Sequence, residues 1–133
     1  MSVEKTRETM MRFFNASHND VSMLAEDVIF TMMATGEEHH GRKAVQDMFN
    51  YLYHTAFNAS AAPKVMVFGE NNAVGEFEFT GRHIGEFAGI PATNKDVHVP
   101  FCVVYDLEKD LIKRARIYFE IPALLAQLGV KMG

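Results

Sequence analysis

Two residues in this 133-residue chain stand out as able to move protons, Glu120 and His83. Glu120 ends the strand-like run "RIYFE", and the proline-started apolar stretch "IPALLAQLG" follows at once. In an extended strand, residues two apart share a face. Arg114, Arg116, Tyr118 and Glu120 therefore align, and Lys113, Ala115, Ile117 and Phe119 line the other side. Neither face is purely polar, so one suits a core and the other a pocket wall or a dimer surface. Two roles are open to Glu120. Inside an apolar pocket, desolvation would raise its pKa from about 4.3 toward the working pH, as a general acid or base requires. Alternatively it pairs with Arg116 or sits at the positive end of the final helix. His83 follows "FTGR" at a strand end. An imidazole can protonate a carbonyl oxygen while a partner works on carbon, or it can be a partly buried ring bonded to backbone. With Glu120 in one pocket it would form a dyad.

Other chemistry is thinly represented. The "EEHHG" run at 37–41 offers adjacent histidines without a spaced third ligand, which reads as a solvated loop and not a metal site. Cys102 is the only cysteine, so neither an internal disulfide nor a cysteine metal cage can form. Its apolar neighbours mark a buried, inert thiol. There is no nucleophile elbow, Gly-rich phosphate loop or HExxH motif. Tyr53, Tyr105 and Tyr118 can each supply a pocket hydroxyl or stand at the boundary with a wet tip. The nine methionines and eleven phenylalanines, with no tryptophan, suit a core and equally a pliable lipophilic pocket.

The elements that must carry these residues follow from periodicity. Apolar positions Val3, Met10, Phe13 and Phe14 predict a helix over 3–16. "SHND" breaks it, and Asp20 or Ser22 can cap a short turn at 21–25. "VIFTMMA" at 28–34 is a strand, and Val45, Met48, Phe49, Leu52 and Ala56 mark a helix over 42–58. "NASAAP" reads as a linker between elements. Strands are expected at 64–68, 73–83, 95–106 and 112–120, and a last helix begins near Pro122 and stops at Gly129. Pro100 inside the third of these strands implies an edge position or a bulge. Helices first, then long antiparallel strands and a short helix make an α+β fold with helices on one side of a curved sheet.

Size and charge narrow the class. The length suits one domain, 1–133, with a core that needs no staples. A net charge of −4 without a basic stripe argues against nucleic-acid or anionic-membrane partners. The charged N-terminus "MSVEKTRETM" lacks a secretory h-region, and no apolar run reaches the ~18 residues of a membrane span, so a cytoplasmic protein is expected.

Three stretches, "FTGRHIGEFAGIPAT", "VPFCVVYDL" and "LIKRARIYFEIPALLAQLG", resemble the SnoaL-like polyketide cyclases of the NTF2-like (nuclear transport factor 2-like) superfamily. "GRKAVQDMFNYLYHTAF" is similar to the second long helix of that family. The resemblance implies a cone of bent sheet wrapped by helices and opening into an apolar pocket for a lipophilic small molecule. It also implies intramolecular aldol ring closure without metal or cofactor. The acid of the family's "YFD" segment falls on Glu120 and the histidine of its "GTH" segment on His83. The chain departs from the pattern in having "YFE" for "YFD" and Arg82 before His83. It also has Asn94 after "PAT" and Asp110 in the last hairpin where glycines are usual; both types tolerate left-handed backbone.

The reading is therefore a single NTF2-like domain, a homodimer through its sheet, doing acid–base chemistry on a lipophilic carbonyl compound. Glu120 and His83 are the expected catalytic residues. Phe14, Met32, Tyr53, Phe79, Phe101, Tyr105, Arg116 and Tyr118 are the expected pocket wall. A non-catalytic binding or dimerisation module is the alternative. Epoxide or lactone hydrolysis by Glu78, Arg116 and Glu120 is a third option.

Overall fold

The computed structural model describes residues 1–16 and 20–130. The chain begins with helix α1 (Val3–Asn15), whose Ser2 cap accepts a hydrogen bond from the Lys5 amide at 3.1 Å. Strands β1 (Leu24–Met32) and β2 (Glu37–His40) follow. Helix α2 (Arg42–Asn50) runs into a π-helical turn, Tyr51–Ala56. Four strands come next: β3 (Phe57–Phe68), β4 (Asn72–His83), β5 (Asp96–Glu108) and β6 (Leu111–Phe119). Helix α3 (Ile121–Gln127) ends the fold. The six strands form one curved, open sheet in the order β2-β1-β6-β5-β4-β3, in which β1 and β6 run parallel.

The expected α+β architecture is the one observed, and the differences are local. "EEHH" is not a loop but an edge strand, because residues 37–40 pair with 29–32 of β1. "NASAAP" is not a linker either: Asn58–Pro63 pair residue by residue with β4 from Arg82 back to Phe77. Small, weakly propensive residues are drawn into the strand by a long partner. Asp20 does cap a turn, accepting from the Ser22 amide at 3.0 Å and hydroxyl at 2.6 Å, but strand β1 starts directly afterwards. The break expected at 17–19 lies outside the described residues.

Which face points inward is set by alternation. On β4, Ala73, Phe77, Phe79 and His83 are buried, and on β5 Val97, Val99, Phe101, Val103, Tyr105 and Leu107 are. On β6 a bulge resets the phase: Ile112 pairs with Leu107 and Arg114 with Asp106, leaving Lys113 as the extra residue. Ile112, Ala115, Ile117 and Phe119 therefore all face in. The helices cover this concave side. Asn94 and Asp110 both adopt positive φ, 58° and 68°, as their residue types permit. Gly81 permits a close approach of β3 to β4, since a Cβ there would lie 2.4 Å from the Asn58 carbonyl oxygen.

Pro100 lies on β5, which has neighbours on both sides and is not an edge. It pairs with Glu78 of β4, whereas pairing with β6 starts only at Phe101. Beyond that point α3 substitutes for the missing strand. The Gln127 side chain accepts from the His98 amide at 2.8 Å and donates to the His98 carbonyl at 2.9 Å. A side-chain amide thereby completes the ladder where β6 has ended, and it ties α3 to the sheet. Replacing Gln127 by Ala should lower stability by about 1–2 kcal/mol in urea unfolding. It should also speed hydrogen exchange at the His98 amide; unchanged exchange there would disprove the tie.

Candidate functional site

A cavity of about 270 Å³ lies between the end of α1, one side of α2 and the concave face of the sheet. Aromatic rings build it because the inward phase of three adjacent strands carries them. Phe77 of β4 stacks on Phe101 of β5 with centroids 5.1 Å apart and planes at 20°, and Phe101 stacks on Phe119 of β6 at 5.2 Å and 18°. From the helix side Phe14 meets Phe77 at 5.4 Å and Tyr105 at 5.8 Å, and Phe13 meets Tyr105 edge-on at 6.1 Å. Such contacts add to the burial of the rings themselves.

Among the described residues of the cavity wall, Tyr105 is the only buried one with a polar side-chain group; Asp20 and Ser60, which also border the cavity, are exposed. Burial pushes the Tyr105 phenol well above its ordinary pKa, and the nearby Tyr53 and Cys102 push it the same way. Tyr105 is thus a hydrogen-bond donor at every physiological pH. Asp20 is held below the usual carboxylate range, chiefly by the Ser22 hydroxyl and then by the Ser22 amide. A solvated, hydrogen-bonded carboxylate of that kind is a weak base.

The expected pocket residues divide between places. Phe14, Phe101 and Tyr105 line the cavity. Tyr53 and Phe79 lie in the core behind it, with ring centroids 5.5 Å apart, and burial raises the Tyr53 pKa as well. Met32 lines a separate cavity beside α2. Arg116 and Tyr118 lie on the outer side of the sheet, Tyr118 46% exposed and Arg116 bonded through Nη1 to Asp106 at 2.6 Å. That bond raises the guanidinium pKa further. The phase that puts Ile117 and Phe119 inside requires this. The aligned face that carries Arg116, Tyr118 and Glu120 is the outer one, not the cavity wall.

Glu120 and His83 do not share an enclosure. Glu120 is exposed at the cap of α3, with φ −76° and ψ 72°, and its side chain makes no capping bond. His83 is fully buried at the far end of β4, packed on Phe57 at 5.1 Å. The Thr93 amide donates to its Nδ1 at 3.2 Å, and the Thr93 hydroxyl lies 3.0 Å from the same atom. The amide contact assigns the proton of the neutral ring to Nε2, which has no partner among the described residues. His83 therefore clasps the 84–95 loop to the sheet. Of the hydrolase trio, Glu78 pairs with His98 and Lys64, so Glu78, Arg116 and Glu120 do not converge in the cavity. Among the described residues there is no cluster of three or more His, Cys, Asp or Glu able to hold a metal. Among the described residues no helix is long and apolar enough to cross a membrane.

Sequence reasoning missed Phe13, Phe49, Phe77 and Ile117 as wall residues. Phe77 shares the alternation of Phe79, and Ile117 that of Phe119, so those two were within reach once the inward face was known.

A bent open sheet wrapped by helices around an apolar cavity defines the ketosteroid isomerase-like, or NTF2-like, class of fold. Solved structures agree. TsrD from Streptomyces laurentii matches with a TM-score of 0.83 at 19% identity, over 98% of this chain and 99% of that one. A phenazine biosynthesis-related protein of Pseudomonas aeruginosa matches with a TM-score of 0.79 at 19% identity, over 98% and 89%. A protein of ketosteroid isomerase-like fold from Catenulispora acidiphila, solved with trimethylamine, matches with a TM-score of 0.74 at 14% identity, over 98% and 96%. No curated protein matches by sequence. The family model for SnoaL-like polyketide cyclases matches residues 5–128, and the chain belongs to that family.

The two proton-carrying candidates should separate in stability. His83→Ala should cost about 2–4 kcal/mol, since it empties a fully buried site and frees a loop. Glu120→Gln should shift stability by no more than about 0.5 kcal/mol. A loss under about 1 kcal/mol for His83→Ala in urea titrations would contradict the clasp.

Proposed function

We propose that this protein binds a small lipophilic carbonyl compound in the cone cavity, with the Tyr105 hydroxyl donating to its oxygen. The observation that carries this is one buried phenol in a wall whose other described residues are rings, aliphatic groups and two exposed polar residues. At about 270 Å³ the cavity falls just below the usual span of ligand sites, ~300–1,000 Å³, which favours one or two rings over larger skeletons. Ligand binding without turnover is the reading that this lining supports best.

Family membership keeps a second reading in view: a cofactor-free aldol-type cyclase or isomerase, with Glu120 or His83 moving protons. That chemistry needs a base at the ligand's α-carbon. Among the described residues of the cavity wall the one candidate is Asp20, whose carboxylate is engaged by Ser22.

The bicyclic ketone 1-indanone tests both. Calorimetry should give binding to wild type and about 3- to 10-fold weaker binding to Tyr105→Phe, the worth of one neutral hydrogen bond. The hydrocarbon indane should not distinguish the two proteins. Affinity should stay flat from about pH 6 to 9, since burial keeps the phenol protonated. Equal affinity of 1-indanone for both proteins would remove Tyr105 from the account. Protein-accelerated exchange of the ketone's α-protons in D₂O, abolished by Glu120→Gln, would decide for the enzyme.

The outer sheet face suits a homodimer surface. Val67, 58% exposed, pairs in register with Val74, 38% exposed, and Val65 two residues along the same strand is 52% exposed. Light scattering should give a dimer for wild type and a monomer for Val67→Asp; a wild-type monomer at tens of micromolar would overturn this.

A further inference from the structure

A second cavity, of about 420 Å³, lies on the other side of α2 from the ring-lined one and shares no wall residue with it. Its walls come from the end of β1, from β2, from α2 with its π-helical continuation, and from the 84–90 loop. We propose that this cavity is a binding site for an amphipathic organic cation, a small hydrophobic body carrying one protonated amine.

The apolar half of the cavity is built from four partly or fully buried side chains, Met32, Met48, Leu52 and Phe87. Two of these are thioethers, which adapt their shape to a guest. Phe87 is fixed from behind by an edge-on contact with Phe57 at 5.2 Å. The loop that carries it is pinned to the π-helical turn, because the Tyr51 hydroxyl donates to the Glu86 carbonyl at 2.6 Å. The pocket is therefore formed in advance and not assembled by its guest. Tyr51 also belongs to the wall, so two aromatic rings flank the space.

The polar half holds two carboxylates and one imidazole, His39. Glu37 and Asp47 are its carboxylates, and neither Lys nor Arg lines it. Each carboxylate has a partner, exposed for Asp47 and largely sheltered for Glu37, where the His39 side chain is 20% exposed. Asp47 pairs with Lys43 at 3.3 Å, with the two side chains 61% and 87% exposed, and Glu37 pairs with His39 at 3.4 Å. The exposed Asp47–Lys43 pair is worth little and exchanges readily for a better-placed cation. An ammonium group at this rim would meet two carboxylates and the faces of Tyr51 and Phe87, while its hydrophobic body covers the methionines. An anion would meet the carboxylates unscreened, and an uncharged isostere would gain only the hydrophobic contact. The prediction of charge selectivity follows from this asymmetry.

The site is independent of the ring-lined cavity, so its test can fail or succeed alone. Protein labelled with ¹³C at the methionine methyls is titrated with 2-phenylethylamine, its uncharged isostere 2-phenylethanol, and phenylacetate. The amine should shift the Met32 and Met48 methyls saturably, with an affinity at least about fivefold above that of the alcohol. Phenylacetate should leave both in place. In the double variant Glu37→Gln, Asp47→Asn, whose fold is checked by its far-UV spectrum, the amine should fall to the alcohol's affinity. The proposal is overturned if amine and alcohol bind wild type equally, if the amine leaves both methyls unmoved, or if the folded double variant retains the preference.

Discussion

The phenyl ladder Phe77–Phe101–Phe119 is the contact on which the rest of the molecule turns. Three rings on three neighbouring strands stack at 5.1 and 5.2 Å, which fixes the facing of all three strands at once. Because side chains alternate, a ladder inside the cone compels every second residue on those strands to face in with it, as far as the bulge on β6. Tyr105 is four residues from Phe101 and so faces the cavity. Tyr118 and Arg116 are one and three residues from Phe119 and so face out. The chemistry available inside follows from that phase, before any particular catalytic side chain is considered.

The same constraint explains what the outer side must solve. Arg116 faces water with a carboxylate beside it, and Lys113, expelled by the β6 bulge, reaches Asp27 at 2.5 Å. Such pairs contribute little to stability but keep a mixed outer face soluble. Elsewhere on the sheet, His83 and Gln127 do comparable work with buried or edge polar groups. One holds a loop through Thr93 and the other completes a strand ladder through His98. A histidine in such a clasp is spoken for by its backbone partner, which is why its motif position alone says little of proton transfer.

Much of this was legible in the residues. The alternation around Phe77 and Phe79 gave β4, the 3.6-residue rhythm gave α1 and α2, and Asn94 and Asp110 were read correctly as left-handed positions. The choice of inward face on β6 was not legible, because Ala115, Ile117 and Phe119 are flanked by Lys113, while the opposite face offers Tyr118 as a plausible wall. Only the partner strands decide between them. "EEHH" and "NASAAP" failed for a related reason: their strand state is imposed by β1 and β4 and not by their own propensity. Pro100 looked like an edge signal because β5 is locally unpaired toward β6, a fact about strand lengths that no single strand records.

The central claim is that binding in this protein is governed by the inward face, with Tyr105 as the polar anchor and Glu120 outside. A crystal structure of the complex with 1-indanone tests it most directly. The account predicts the ketone among Phe14, Phe77 and Phe101, its oxygen within about 3.2 Å of the Tyr105 hydroxyl. A ketone bound instead against the Glu120 carboxylate, with the ring-lined cavity empty, would contradict it.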